Sequence, residues 1–224
     1  AENGLSQVLF NLPPGDFAAG ERGIAALPGR EAQFRESVDQ AIEYAQALGC
    51  PRLHAMAGLI EDEALRPRMR EGYLENLRYA ARRLAEQGLT LLIEPINTRS
   101  IPGYFINRQA EGHAILAELG EPNLKVQMDF FHAQIMEGDL AACFKRFQAG
   151  VGHIQIAGVP DRHEPDLGEV NYAYLFALLD ELDLHLGLGT FHARKAALTA
   201  FAAAHTAILF PVLGPLIDSL GDHA

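Results

Sequence analysis

Two carboxylates and an amide stand where three apolar runs end, and their types suit a divalent-cation or proton-transfer site. In Leu91-Leu92-Ile93-Glu94-Pro95-Ile96-Asn97 a carboxylate directly follows three apolar residues, and Pro95 closes the run. A carboxylate so placed is expensive if buried and unpaired. It either works on a ligand, caps a helix or pairs with an arginine. Val126-Gln127-Met128-Asp129-Phe130-Phe131-His132 repeats the arrangement, with His132 three residues beyond Asp129. Both residue types ligate metals or handle protons. The ordinary alternatives are a helix cap for Asp129 and a satisfied core histidine for His132. In His153-Ile154-Gln155-Ile156-Ala157-Gly158, alternation puts His153 and Gln155 on one face and the isoleucines on the other. The Gln155 amide oxygen could ligate a cation together with the carboxylates. Glu94, Asp129 and Gln155 form an oxygen-rich set that suits Mg²⁺ or Mn²⁺ better than zinc. The charged loop Pro160-Asp161-Arg162-His163-Glu164-Pro165 follows. It is either an ordinary solvated loop or the place where Arg162 holds a carboxylate in bidentate fashion.

The elements that must position these residues alternate. Short β-rich runs are expected at 7–11, 52–57, 89–95, 124–130 and 152–157, with a weaker one at 184–189. Helical spacing predicts a helix over Glu31–Leu48, through Phe34, Val38, Ile42 and Ala45. A second spans 66–87, through Met69, Tyr73, Leu77, Ala80 and Leu84. Shorter helices are expected at 110–119 and Leu140–Phe147, and another at 171–182, with Asn171 as N-cap and Leu175, Leu178 and Leu179 turned inward. Strands alternating with helices imply a parallel sheet. No GxGxxG follows the first strand, which disfavours a dinucleotide-binding open sheet. Polar residues at the C-terminal ends of several strands favour a (βα)8 barrel, where those ends share one face.

Composition narrows the classes. The chain has 224 residues, 49% of them hydrophobic and 21% charged, which fits one folded domain. The stretch 196–217 is apolar, but His205, Pro211, Gly214 and Pro215 make it a poor transmembrane helix. A membrane partner is not expected. The N-terminus shows no signal-peptide pattern, and Cys50 and Cys143 have no metal-like spacing. Two unpaired thiols suit a reducing cytoplasm. A net charge of -11 argues against a nucleic-acid partner, while a small anionic substrate in a locally positive pocket stays open.

Phe10-Asn11-Leu12-Pro13-Pro14-Gly15-Asp16, Leu53-His54-Ala55-Met56-Ala57-Gly58, the Glu94 and Asp129 runs, and His153-Ile154-Gln155-Ile156-Ala157-Gly158-Val159-Pro160 resemble the hydroxypyruvate isomerase family. That family includes the 2-oxo-tetronate isomerases and belongs to the xylose-isomerase-like barrels. The resemblance covers roughly residues 6–183, within a single domain over 1–224. It implies aldose–ketose isomerisation of a small hydroxy-keto acid through an enediolate. It makes Glu94 an acid/base glutamate and metal ligand, Asp129 and Gln155 metal ligands, and His54, His132 and Arg162 the lining of the substrate pocket. A homo-oligomer is compatible with it.

The sequence departs from the family at both ends. The first strand resembles the family's third, so an incomplete barrel lacking the first two βα units is expected. The family's last strand carries a Gly-Cys-Glu-Tyr type sequence with a second catalytic glutamate. Here the matching place reads Gly187-Leu188-Gly189-Thr190-Phe191-His192, and no glutamate follows Glu181. Residues 184–224 are expected to be an atypical tail, and activity is expected to be impaired. Two other functions compete: a non-catalytic remnant of the isomerase fold, and a metal-dependent endonuclease-like barrel.

Overall fold

The computed structural model describes residues 7–186. They fall into two compact units, divided between Gln155 and Ile156.

The first unit is a run of parallel βα repeats. Strand β1 (Phe10–Asn11) leads through a long loop to helix α1 (Glu31–Leu48). Strand β2 (Arg52–His54), helix α2 (Arg66–Ala85), strand β3 (Thr90–Ile93) and helix α3 (Gln109–Leu119) follow. Strand β4 (Leu124–Asp129) then runs straight into helix α4 (Phe130–Met136), and α5 (Leu140–Phe147) leads to β5 (Val151–Gln155). The five strands form one parallel sheet in the order β1-β2-β3-β4-β5. Sequential parallel neighbours joined by helices make this an incomplete (βα) barrel of the α/β class.

The helices form for the reasons their spacing gives. In α1, Phe34, Val38, Ala41, Ile42 and Ala45 are buried, and the left-handed Gly49 ends the helix. In α2 a proline sits in the first turn, and Met69, Tyr73, Leu77, Ala80 and Leu84 line the buried face. Glu111 accepts from the Arg108 N–H at 2.9 Å and so helps close the start of α3. β3 reads as a continuous apolar run because it is covered on both sides. Leu91, Leu92 and Ile93 are all fully buried.

A register shift between β4 and β5 positions the site. Val126 pairs with Val151, but Gln127 pairs with His153, so β5 carries one extra residue, Gly152. A Cβ at 152 would stand 2.6 Å from the Lys125 Cβ, so the bulge needs glycine. With the shift, Asp129 pairs with Gln155. Without it Asp129 would oppose the apolar Ile154. Gly23 does a related job at the other end of the sheet. Its φ is +108°, and any Cβ would collide with the Met56 carbonyl. The loop can therefore lie against β2, with the Ala26 N–H donating to the Ala57 carbonyl at 2.8 Å.

The second unit holds the loop from 156 and helix α6 (Tyr172–Leu186). The Tyr172 hydroxyl donates to the Ala157 carbonyl at 2.7 Å, and Leu175, Leu178 and Leu179 are buried. Asn171 caps the helix, accepting from the Tyr174 N–H at 3.1 Å. α6 continues through Leu186, which overturns the expected strand over residues 184–186. Leucines at 182, 184 and 186 mimic strand alternation, but 175, 178, 179 and 182 keep helical spacing and the helix carries through. Residues 187–189, Phe191, His192 and most of the tail lie outside the described residues. Among the described residues, 7–186, no helix is long and apolar enough to cross a membrane. The strands are also shorter than expected, and α4 was not anticipated.

His113 on α3 stacks on Phe147 at the end of α5, with ring centroids 4.4 Å apart. Burial pushes its pKa down to about 4, against about 6.5 in an unfolded chain. Between those values the unfolded state binds more protons. His113 therefore contributes stability that is complete above about pH 6.5 and is lost as pH falls toward 4. His113→Phe keeps the stack and cannot take up a proton. Thermal melts at several pH values should show the variant losing less stability on acidification than the parent. Parallel curves would show that His113 is not a source of acid sensitivity.

Candidate active site

The site forms because β3 and β4 each deliver a carboxylate at the C-terminal edge of the sheet. Glu94 directly follows Ile93, the last residue of β3, and Asp129 is the last residue of β4. Both are buried, at 6% and 1% exposure. His132 lies one turn into α4, so it returns over Asp129. Its Nε2 is 3.8 Å from Glu94 Oε1 and 3.7 Å from Asp129 Oδ2. One ligand atom from each of Glu94, Asp129 and His132 lies within 4.8 Å of the others.

Asp129 has two jobs. Its Oδ1 accepts from the Phe131 N–H at 2.8 Å and starts α4, while Oδ2 faces His132. The helix-cap alternative therefore holds for one oxygen, and the other faces His132. This also explains the strand's early end. A cap at Asp129 converts Phe130 and Phe131 from strand to helix, although their bulk suits β structure.

His54 closes the other side of Glu94. Its Nδ1 is 3.8 Å from Glu94 Oε2 and 2.9 Å from Asn11 Oδ1. The ring is 1% exposed, and burial, with the neighbouring His132 and His153 adding to it, lowers its pKa to about 3. His54 is thus neutral near pH 7. Its Nε2 is buried and has no hydrogen-bond partner among the described residues.

Gln155, at the end of β5, sits beside Asp129 in register. Its Oε1 accepts from Gln127 Nε2 at 2.9 Å, which fixes that oxygen and leaves it a second lone pair. Arg162 lies in the second unit with a positive φ of 59°. Its N–H donates to the Gly158 carbonyl at 2.8 Å.

The donor set fits a hard divalent cation. Two buried carboxylates within reach of one ion repel each other unless a positive charge lies between them. Glu94 and Asp129 would hold that ion, with the Gln155 amide oxygen on the neighbouring strand.

Three polar residues at the site were given no role by sequence reasoning. Asn97 is fully buried, and its Nδ2 lies 2.6 Å from His132 Nδ1. Asn11 holds His54, and Gln127 holds Gln155. Each stood inside a quoted motif. Their signal was an amide inside or beside an apolar run, the same signal that singled out Gln155.

A parallel βα sheet with buried acids and histidines at its C-terminal edge is the arrangement of a (βα) barrel whose polar site lies at that edge. The comparisons agree. The family described as xylose isomerase-like TIM barrel matches residues 1–206. The 2-oxo-tetronate isomerase of Cupriavidus necator is 59% identical over 198 residues, covering 88% of this chain and 76% of that protein. The hydroxypyruvate isomerase of Escherichia coli is 42% identical over 189 residues, covering 84% and 73%. A Brucella melitensis crystal structure titled AP endonuclease, family 2, is 52% identical with a TM-score of 0.78, covering 81% of this chain and 70% of that one. The chain belongs to the xylose isomerase-like TIM barrel family. Within it the chain is an enzyme of the isomerase class, similar to the hydroxypyruvate and 2-oxo-tetronate isomerases.

Proposed function

We propose that this chain isomerises a small hydroxy-keto acid, hydroxypyruvate or a 2-oxo-tetronate, by moving a proton between adjacent carbons. The observation that carries the reading is the buried cluster of Glu94, Asp129 and His132. In hydroxypyruvate, Glu94 removes a proton from the hydroxymethyl carbon. The C–H electrons form the carbon–carbon double bond of an enediolate. A proton returned to the former carbonyl carbon gives tartronate semialdehyde, and one hydroxyl proton moves between the two oxygens. Atoms and charge balance with no oxidant or reductant. A bound Mg²⁺ or Mn²⁺ would supply positive charge to the two oxygens while the enediolate exists. Glu94 and Asp129, with Gln155, would hold it.

Among the described residues the site cluster holds one glutamate, Glu94, for a reaction that needs proton transfer at two carbons, and no glutamate follows Glu181 in the sequence. Turnover should therefore be slow. General acid–base assistance is worth about 10²–10⁴-fold, so the rate should fall short of a relative with both glutamates by about that factor. The test is direct. Purified protein with saturating Mg²⁺ or Mn²⁺ is given hydroxypyruvate, and the aldehyde product is followed by NMR. Slow, cation-dependent conversion supports the reading. No conversion of either substrate points to a remnant fold, and a rate equal to that of a complete relative removes the need for the second glutamate.

The Brucella structure's title raises nuclease chemistry, but that title describes that protein. A net charge of -11 is poorly suited to a DNA backbone, and among the described residues the ligand-spaced cluster joins a single histidine, His132, to two carboxylates rather than forming a histidine-rich zinc centre.

A further inference from the structure

Glu94 has one histidine against each oxygen, and each histidine is bonded at Nδ1 by a different asparagine. On one side the Asn97 backbone N–H donates to His132 Nδ1 at 3.4 Å. The Asn97 side-chain Nδ2 approaches the same atom at 2.6 Å. The orientation of that amide is set independently, because its Oδ1 accepts from the Ser100 N–H at 2.6 Å. A backbone N–H cannot act as an acceptor, and here two donors converge on one ring nitrogen. His132 Nδ1 must therefore be bare, and the proton of the neutral ring sits on Nε2. That is the atom facing Glu94 and Asp129.

On the other side the relation is reversed. Asn11 turns its Nδ2 to the Met56 sulfur at 3.7 Å and its Oδ1 to His54 Nδ1 at 2.9 Å. An oxygen there calls for an N–H, so the His54 proton sits on Nδ1. Its Nε2 is then a bare acceptor, buried and without a hydrogen-bond partner among the described residues.

We propose that Asn97 and Asn11 hold His132 and His54 in opposite tautomers, so that His132 turns an Nε2–H and His54 an Nδ1–H toward the two oxygens of Glu94. This rests on the isomerase reading only for its use, not for its geometry. Two consequences follow. A ligating imidazole needs a lone pair on the ligating nitrogen, so His132 Nε2–H is not a cation ligand. The cation falls to the carboxylates and the Gln155 oxygen. His132 then donates to the substrate oxygen that gains charge, while the His54 Nδ1–H is held between Asn11 Oδ1 and Glu94 Oε2. Asn97 and Asn11 are positioning residues. They act through the imidazoles.

The tautomers can be read without any cation or substrate. The full chain with ¹⁵N-labelled histidine, at near-neutral pH, gives ring-nitrogen shifts and two-bond couplings that separate the Nδ1–H from the Nε2–H form. His132→Gln and His54→Gln spectra assign the signals. The expected result is Nε2–H for His132 and Nδ1–H for His54. The same tautomer in both, or a protonated His132, overturns the proposal whatever the enzyme does. Asn97→Asp keeps an oxygen for the Ser100 N–H and replaces the side-chain donor with an acceptor. The carboxylate oxygen, at the 2.6 Å position, outweighs the backbone N–H at 3.4 Å, so His132 should switch to Nδ1–H, with kcat down about 10²-fold, the scale of losing one preorganised donor to a developing oxyanion, and KM nearly unchanged. A variant with the same dispersed spectrum but an unswitched His132 also overturns it. Opposite tautomers in a chain that turns over nothing would sustain the inference and remove the isomerase reading.

Discussion

Glu94→Gln should give a folded protein that no longer turns over hydroxypyruvate. In the proposed isomerisation Glu94, at the C-terminal edge of the sheet, is the acid/base group, and glutamine cannot accept the substrate proton. The loss should reach the full value of general-base assistance, about 10²–10⁴-fold in kcat. Stability should move the other way. In the parent, Glu94 and Asp129 are both buried and close enough to share one ion. Without a cation, their like charges oppose folding. Glutamine removes one charge and keeps the shape, so the cation-free variant should melt at or above the parent's temperature. The parent should gain more from added Mn²⁺ than the variant, because only a ligand that binds the folded state raises its stability. Melting curves with and without Mn²⁺, beside the product assay, check both halves. A variant that retains the parent's rate would remove Glu94 from the chemistry.

Most of the framework that positions this glutamate was legible in the sequence. The helix over Glu31–Leu48 and the helix Leu140–Phe147 stand where the apolar spacing puts them, because a 3.6-residue repeat leaves little choice of face. The five strands were legible as apolar runs, but their ends were not. Each run continues past the strand into loop residues that are apolar for another reason. Ala55, Met56 and Ala57 lie under the loop that follows β1 and bond to it at Ala25 and Ala26. Helix α4 was hidden by its own first residues, since Phe130 and Phe131 extend the apolar run of β4. Only the carboxylate cap of Asp129 decides for helix there. The bulge at Gly152 was also invisible, because its cause is the Lys125 side chain on the neighbouring strand. The same holds for Asn97. Its neighbours in the chain are Ile96 and Thr98, and only the fold brings His132, 35 residues away, against it.

Asp129→Asn and Asp129→Ala should separate the two jobs of this residue. The cap needs only an oxygen, and asparagine is about as good an N-cap as aspartate. Asp129→Asn can still accept from the Phe131 N–H, now 2.8 Å from Oδ1, so α4 should keep its start. What it loses is the negative charge on the oxygen beside His132. Losing even an outer partner of a metal ligand weakens binding by about 10–100-fold. Losing a carboxylate ligand itself should weaken Mn²⁺ binding by at least about 100-fold. Asp129→Ala loses the same ligand and also the cap, which is worth about 1 kcal/mol. For a chain of this size that corresponds to about 2–4 °C in melting temperature. Without added cation, the alanine variant should therefore melt a few degrees below the asparagine variant. Their Mn²⁺ affinities should be equally poor, as measured by the free-ion EPR signal. If the asparagine variant binds Mn²⁺ as tightly as the parent, Asp129 is a structural cap and the cation site lies elsewhere. If the two variants melt together, α4 does not depend on its cap, and the position of His132 must come from Asn97 alone.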